Sequence, residues 1–302
     1  MGVLLALANV IVPVLVVAGT GFLLGRFFPL DPNTISKISL YGLTPALCLA
    51  TLLTTQVSGQ VGATLVAAYV VVCLVGAGIG GLLTPRVPGP TRRGVMVSLA
   101  ISNSGNMGLP IALFALGQAG FEQSVLIFLA SVVLGFIVGP LLFGAGGGVG
   151  KAIKGLLKLP AIWAIVLALV MRLLGLQLPT GVMRGVEMLS GATLPMVLLA
   201  LGIQLGATSR VTINRPVITA SLLRVFGMPV LSLGIGLLFG LRGIPLQALV
   251  LSGAMPTAVN AFLLALEYKG DVRTVADTVT VTTLLSFGSA AVVTALLPFV
   301  PQ

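Results

Sequence analysis

No histidine occurs among the 302 residues, only two are cysteine, and six acidic residues stand against sixteen Lys and Arg. Each scarcity excludes something. Without His there is neither a Ser–His nucleophile pair nor a histidine metal cluster. Cys48 and Cys73 both fall in apolar runs without C-x-x-C spacing, so no disulfide framework is expected. Asp31, Glu122, Glu187, Glu267, Asp271 and Asp277 lie at or near the ends of apolar runs. No carboxylate pair is left at mid-membrane for intramembrane hydrolysis or metal binding. Charged residues make up 7% of the chain, against roughly 25% in a soluble domain. That is too few to cover a water-exposed surface. With 57% hydrophobic residues and a mean hydropathy of +1.18, the chain reads as an all-α integral membrane protein.

Ten apolar runs reach the length of about 20 residues that a membrane crossing needs: roughly 3–28, 33–55, 61–84, 93–118, 123–144, 157–176, 183–207, 215–240, 243–268 and 273–298. The first is read as a retained helix, because no charged n-region or cleavage site accompanies it. The expected domains are a five-helix repeat over 1–144, a Gly-rich linker over 145–155 and a second five-helix repeat over 156–302. The net charge of +10 is unevenly placed. Twelve Lys and Arg fall in loops on one side. Arg172, Arg184 and Arg242 fall on the other, and Arg224 lies inside a run. By the positive-inside rule the crowded side is cytoplasmic, which makes the linker cytoplasmic and both termini extracytoplasmic. Such scattered loop charge calls for no nucleic acid. Five crossings per half, an odd number, mean that the second repeat inserts upside down.

The halves echo each other at an offset of 150 residues. Leu23-Leu24-Gly25 with Pro29 matches Leu173-Leu174-Gly175 with Pro179, and Pro45 matches Pro195. In the same register Asn106 falls on Pro256 and Pro110 on Asn260. Around these positions two runs are interrupted by helix breakers. Gly105, Gly108 and Pro110 cluster with Ser102, Asn103, Ser104 and Asn106; Pro256 stands beside Thr257 and Asn260. Proline removes an N–H and disfavours helix before it, and glycine weakens the turn. Backbone groups freed in this way cannot face lipid and must line a polar cavity or be buried. Paired breaks in an inverted repeat are the pattern of a secondary transporter. By contrast Gly76, Gly78 and Gly81, although spaced G-x-G-x-x-G, sit within an apolar run and read as small residues for helix packing.

Asn103–Ile111 (N-S-G-N-M-G-L-P-I) and Met255–Asn260 (M-P-T-A-V-N) resemble the signature segments of the auxin efflux carrier family, which includes bacterial permeases related to the plant PIN auxin transporters. The resemblance covers essentially the whole chain. It implies a fold shared with bile-acid symporters and sodium/proton antiporters, with broken crossover spans 4 and 9 inside a transport domain of spans 3–5 and 8–10. Spans 1, 2, 6 and 7 would form a scaffold that dimerises, and transport would be elevator-like. By motif position Asn103, Asn106 and Pro110 belong to the first crossover, and Pro256 and Asn260 to the second. The third span carries no charged residue, unlike the plant carriers.

Arg224 lies about nine residues, or roughly 13 Å, inside its span from Arg215. It either snorkels to the cytoplasmic face or favours an anionic substrate. Asp277 either complements the start of the last helix or serves in ion coupling. The expectation is a transporter of a small organic anion, not an enzyme, in the cell membrane, without cofactor or metal. Substrate contacts fall to Asn103, Ser104, Asn106, Thr257 and Asn260. Pro110 and Pro256 hold the breaks, and Arg224 balances charge. The rivals are a cation antiporter or cation-coupled symporter using Asp277, and a membrane-embedded enzyme or receptor.

Overall fold

The computed structural model describes residues 2–55, 57–143, 154–207 and 211–301. Among them the regular elements are helices, and the β pairing is a single isolated bridge. Most of the expected linker, residues 145–153, lies outside the described residues. In chain order the helices are α1 (Gly2–Phe27), α2 (Pro32–Lys37), α3 (Thr44–Thr54), α4 (Gly59–Leu83), α5 (Gly89–Ala100), α6 (Leu109–Phe143), α7 (Pro160–Leu173), α8 (Thr180–Ala207), α9 (Arg215–Leu222), α10 (Met228–Leu238), α11 (Gly243–Gly253), α12 (Val259–Glu267) and α13 (Val272–Leu296). Wider π-helical turns join α2 to α3 (Ile38–Leu43), lead into α6 (Ser104–Gly108) and join α9 to α10 (Leu223–Gly227).

Helix starts are fixed by polar side chains accepting from backbone N–H groups that have no partner inside the helix. Ser58 accepts from Val61 at 3.3 Å, Asn214 from Val217 at 3.0 Å and Asp271 from Thr274 at 3.0 Å. Seven stretches among the described residues are long and apolar enough to cross a membrane, with two shorter apolar helices at Pro160–Leu173 and Gly243–Gly253. One stretch, Ser104–Phe143, holds 40 residues. Straight, it would measure about 60 Å, twice a hydrocarbon core. Gly117 divides it, at φ 65° and ψ −163°, a conformation open to glycine because it has no Cβ. Large exposed side chains are apolar along these helices, among them Leu173, Phe226, Val230, Leu238 and Leu284. Such a surface suits lipid and not water.

By internal contacts the chain divides into two units. One gathers the described residues within Met1–Val12, Ser58–Ala152 and Thr208–Gln302; the other those within Pro13–Val57 and Ile153–Ala207. In the second unit α1 and α8 meet backbone to backbone. A Cβ on Gly21 or Gly25 would strike the backbone of Leu199 or Ile203, and one on Gly202 or Gly206 would strike that of Ala18 or Phe22. Both helices thus present glycines four apart at one seam. Here too Arg172 donates to the end carbonyls of Leu52 (2.8 Å) and Thr55 (3.1 Å) beside α3.

In the first unit α4 packs on α5 and α10 through small residues. Gly76 faces Met228, Gly80 faces Leu99 and Gly81 faces Met96, whereas Gly78 has open space beside it. Two of the three glycines singled out in the sequence therefore make helix contacts, and Gly80 joins them.

Candidate functional site: the crossing of two broken helices

The run of α5 stops at Ala100 and helix resumes at Ser104; the run of α11 stops at Gly253 and resumes at Val259. The two interruptions meet. Ser102 and Thr257 form an antiparallel bridge, with Asn103 N–H donating to Pro256 O (2.7 Å) and Ala258 N–H to Ile101 O (2.9 Å). Each break so satisfies backbone groups that the other frees, which is the condition for non-helical chain at membrane depth. The partner of Ser102 lies 155 positions later, not 150. The sequence echo aligned shared residue types, whereas hydrogen-bond geometry sets the register of the crossing.

Every expected site residue except Asp277 and Arg224 belongs to these two segments, and their side chains point to different tasks. Asn103 is buried, and its amide oxygen accepts from Asn106 N–H (3.1 Å), capping the π turn that opens the second half-helix. Ser104 is buried in a chain of hydroxyls: Tyr69 to Ser102 (2.8 Å), Ser102 to Ser104 (2.6 Å) and Ser104 to Ser252 (3.4 Å). A cavity of about 10 Å³ lies beside it, lined by Ser104, Gly108, Ser124, Ile127, Leu251 and Ser252. That is about the space one water needs. Thr257 is 0% exposed; its hydroxyl donates to Ser98 O (2.8 Å), and its N–H donates to the Thr282 hydroxyl (3.1 Å). Pro110 and Pro256 are buried on either side of the crossing. Asn106 is half-buried and Asn260 exposed, and neither side chain takes part in the hydrogen bonds of the crossing.

Arg224 sits on the π turn between α9 and α10, only 1% exposed, so it does not snorkel. Its guanidinium donates to Leu99 O (2.7 Å), Met255 O (2.8 Å) and Ser252 O (3.4 Å). Asp277, 6% exposed on α13, has one carboxylate oxygen buried without a hydrogen-bond partner. Sequence reasoning missed Tyr69, Ser98 and Thr282 as members of the crossing. All lie in apolar stretches, where an isolated hydroxyl looks unremarkable until a neighbouring helix supplies its partner.

Apolar helices, two of them broken and hydrogen-bonded to each other at the break, define a multi-pass membrane protein of the transporter class. The family model described as a membrane transport protein matches residues 149–294. An uncharacterized transporter from Methanothermobacter thermautotrophicus is 27% identical over 270 residues, covering 86% of this chain and 87% of that protein. A second, from Methanocaldococcus jannaschii, is 26% identical over 199 residues, covering 64% of each. The match to the membrane transport protein model falls on the second half of the chain, and the crossover segments in both halves resemble those of the auxin efflux carrier family.

Proposed function

We propose that the protein moves a small organic anion, a carboxylate, across the cell membrane by elevator-type alternating access, through ten crossings in two inverted five-helix repeats. The observation that carries the reading is the antiparallel bridge at the crossing. It holds the starts of two half-helices, at Ser104 and Val259, next to each other, and each start carries a partial positive charge. No acidic residue occurs in Ser102–Pro110 or Ser252–Asn260 to cancel it. The division into two units supports a scaffold of spans 1, 2, 6 and 7 and a transport domain of the rest, with the scaffold as dimer surface.

The test is flux into proteoliposomes of labelled aromatic monocarboxylates and C4 dicarboxylates, with inorganic cations as competitors. Carboxylate uptake that Asn106→Ala or Asn260→Ala weakens roughly ten- to a hundredfold fits the loss of one hydrogen bond to a charged ligand. Asn→Asp at either site would weaken it further by repulsion; a gain would mean a cationic ligand. Unchanged affinity in all four variants removes the crossing as the site. The unpartnered Asp277 oxygen supports a second feature, coupling to a cation. Asp277→Asn should then abolish the dependence of uptake on a sodium or proton gradient while leaving counterflow intact.

A further inference from the structure

We infer that Arg224 is the positioning residue of the crossing: a clamp on the two helix ends that face away from the ligand, and not a ligand of the anion itself. The inference refines the reading of the crossing as an anion site, but its geometry stands independently. The three carbonyls that Arg224 reaches come from two different chain segments. Leu99 is in the last turn of α5, while Ser252 and Met255 flank the end of α11. The carbonyls of a last helical turn lack partners inside the helix. Here partners can be named for most of them. For α5, Val97 O accepts from Ile101 N–H, Ser98 O from the Thr257 hydroxyl, Leu99 O from Arg224 and Ile101 O from Ala258 N–H. For α11, Val250 O and Leu251 O accept from Ala254 N–H and Ser252 O from Met255 N–H, and just beyond the helix Met255 O accepts from Arg224 and Pro256 O from Asn103 N–H. Arg224 therefore supplies the partner for Leu99 O on one side and Met255 O on the other, where neither backbone nor threonine donates.

A planar guanidinium suits the task because its donors point in fixed, diverging directions. An ammonium has its three donors on one nitrogen and cannot reproduce the spacing of Nε and Nη1, which donate separately to Met255 O and Leu99 O. The charge also balances. Each helix end carries about half an elementary negative charge, so two ends together match one guanidinium. The two half-helix starts are left with about one positive charge between them, which is the complement of a single carboxylate. The π turn at Leu223–Gly227 widens the helix where the guanidinium departs, and the side chain is wholly enclosed. A ligand could meet it only by displacing the two chains that it ties.

Hydrogen–deuterium exchange on the full-length protein in detergent, without ligand, tests the clamp whatever the transported species proves to be. Peptides covering 97–108 and 251–260 should exchange at least tenfold faster in Arg224→Lys, which keeps the charge, and in Arg224→Ala. Peptides of α1 and α8 should be unchanged. Millimolar guanidinium chloride, too dilute to denature, should restore slow exchange in Arg224→Ala, and methylammonium should not. If Arg224→Lys leaves exchange at the crossing unchanged, the clamp is refuted. It is refuted equally if exchange rises uniformly over all helices with no guanidinium rescue. Loss of uptake with a normal exchange pattern would instead mark Arg224 as a ligand of the anion and overturn the inference from the other side.

Discussion

Thr257 shows how a residue inside a recognisable motif can be engaged by the fold itself. Its hydroxyl is the partner of Ser98 O, and no water reaches either. Thr257→Val would leave that carbonyl buried and unsatisfied, at a cost of about 1–3 kcal/mol. A lowered thermal midpoint in detergent, recovered by Thr257→Ser, is the expected outcome. Asp271 gives a second residue-scale prediction, one that depends on pH. Partial burial pushes its carboxyl up, but bonds from Thr274 N–H, the Thr91 hydroxyl (2.6 Å) and the Thr274 hydroxyl (2.8 Å) more than offset this and hold it below the usual carboxylate range. In the acid range the unfolded chain then binds more protons than the folded one, so stability rises with pH there. The contribution is complete above the ordinary Asp value and disappears as pH falls through the lowered one. Asp271→Asn should flatten that acid limb of the melting curve. An unchanged limb would remove Asp271 as its source.

At the scale of elements the decisive feature is close approach. α1 and α8 touch through Gly21, Gly25, Gly202 and Gly206, where any Cβ would meet backbone. Backbone cannot move aside as a side-chain tip can, so Gly202→Val should cost several kcal/mol through overpacking, at or above the roughly 1–3 kcal/mol usual in cores. Gly191→Ala on the same helix has open space beside it and should be neutral to slightly stabilising. Melting temperatures of the two variants compare them directly. Asn103→Ala should cost about 1 kcal/mol by uncapping the π turn at Ser104. The breaks themselves were legible in the sequence, since Gly and Pro act on their own backbone. The glycine seam was not, because nothing in a glycine-rich apolar run says which glycine has a helix against it. Gly78, with open space beside it, and Gly80, against Leu99, make that point within one helix.

For the whole molecule, the positive-inside rule turns the excess of basic loop residues into a prediction of orientation. Cysteines introduced between Gly144 and Gly155 should react only with reagents that enter the cell. Cys48 and Cys73 are both buried and leave a low background for the assay. Labelling there by an impermeant reagent added outside would reverse the orientation and place both termini in the cytoplasm.

Composition and periodicity by themselves determined that the chain is a helical membrane protein, where most of its helices run and where two of them break. Those properties depend on local chemistry: the transfer of apolar runs from water, and the effect of Gly and Pro on the backbone that bears them. The register of the crossing, the inward turn of Thr257 and the three carbonyl partners of Arg224 depend on residues far apart in sequence. Arg224 looked like a lone charge in an apolar span because its counterparts are main-chain carbonyls, which no residue type announces. Only the packed structure shows that two helix ends arrive there together, and so decides which polar groups of the motifs bind the protein to itself.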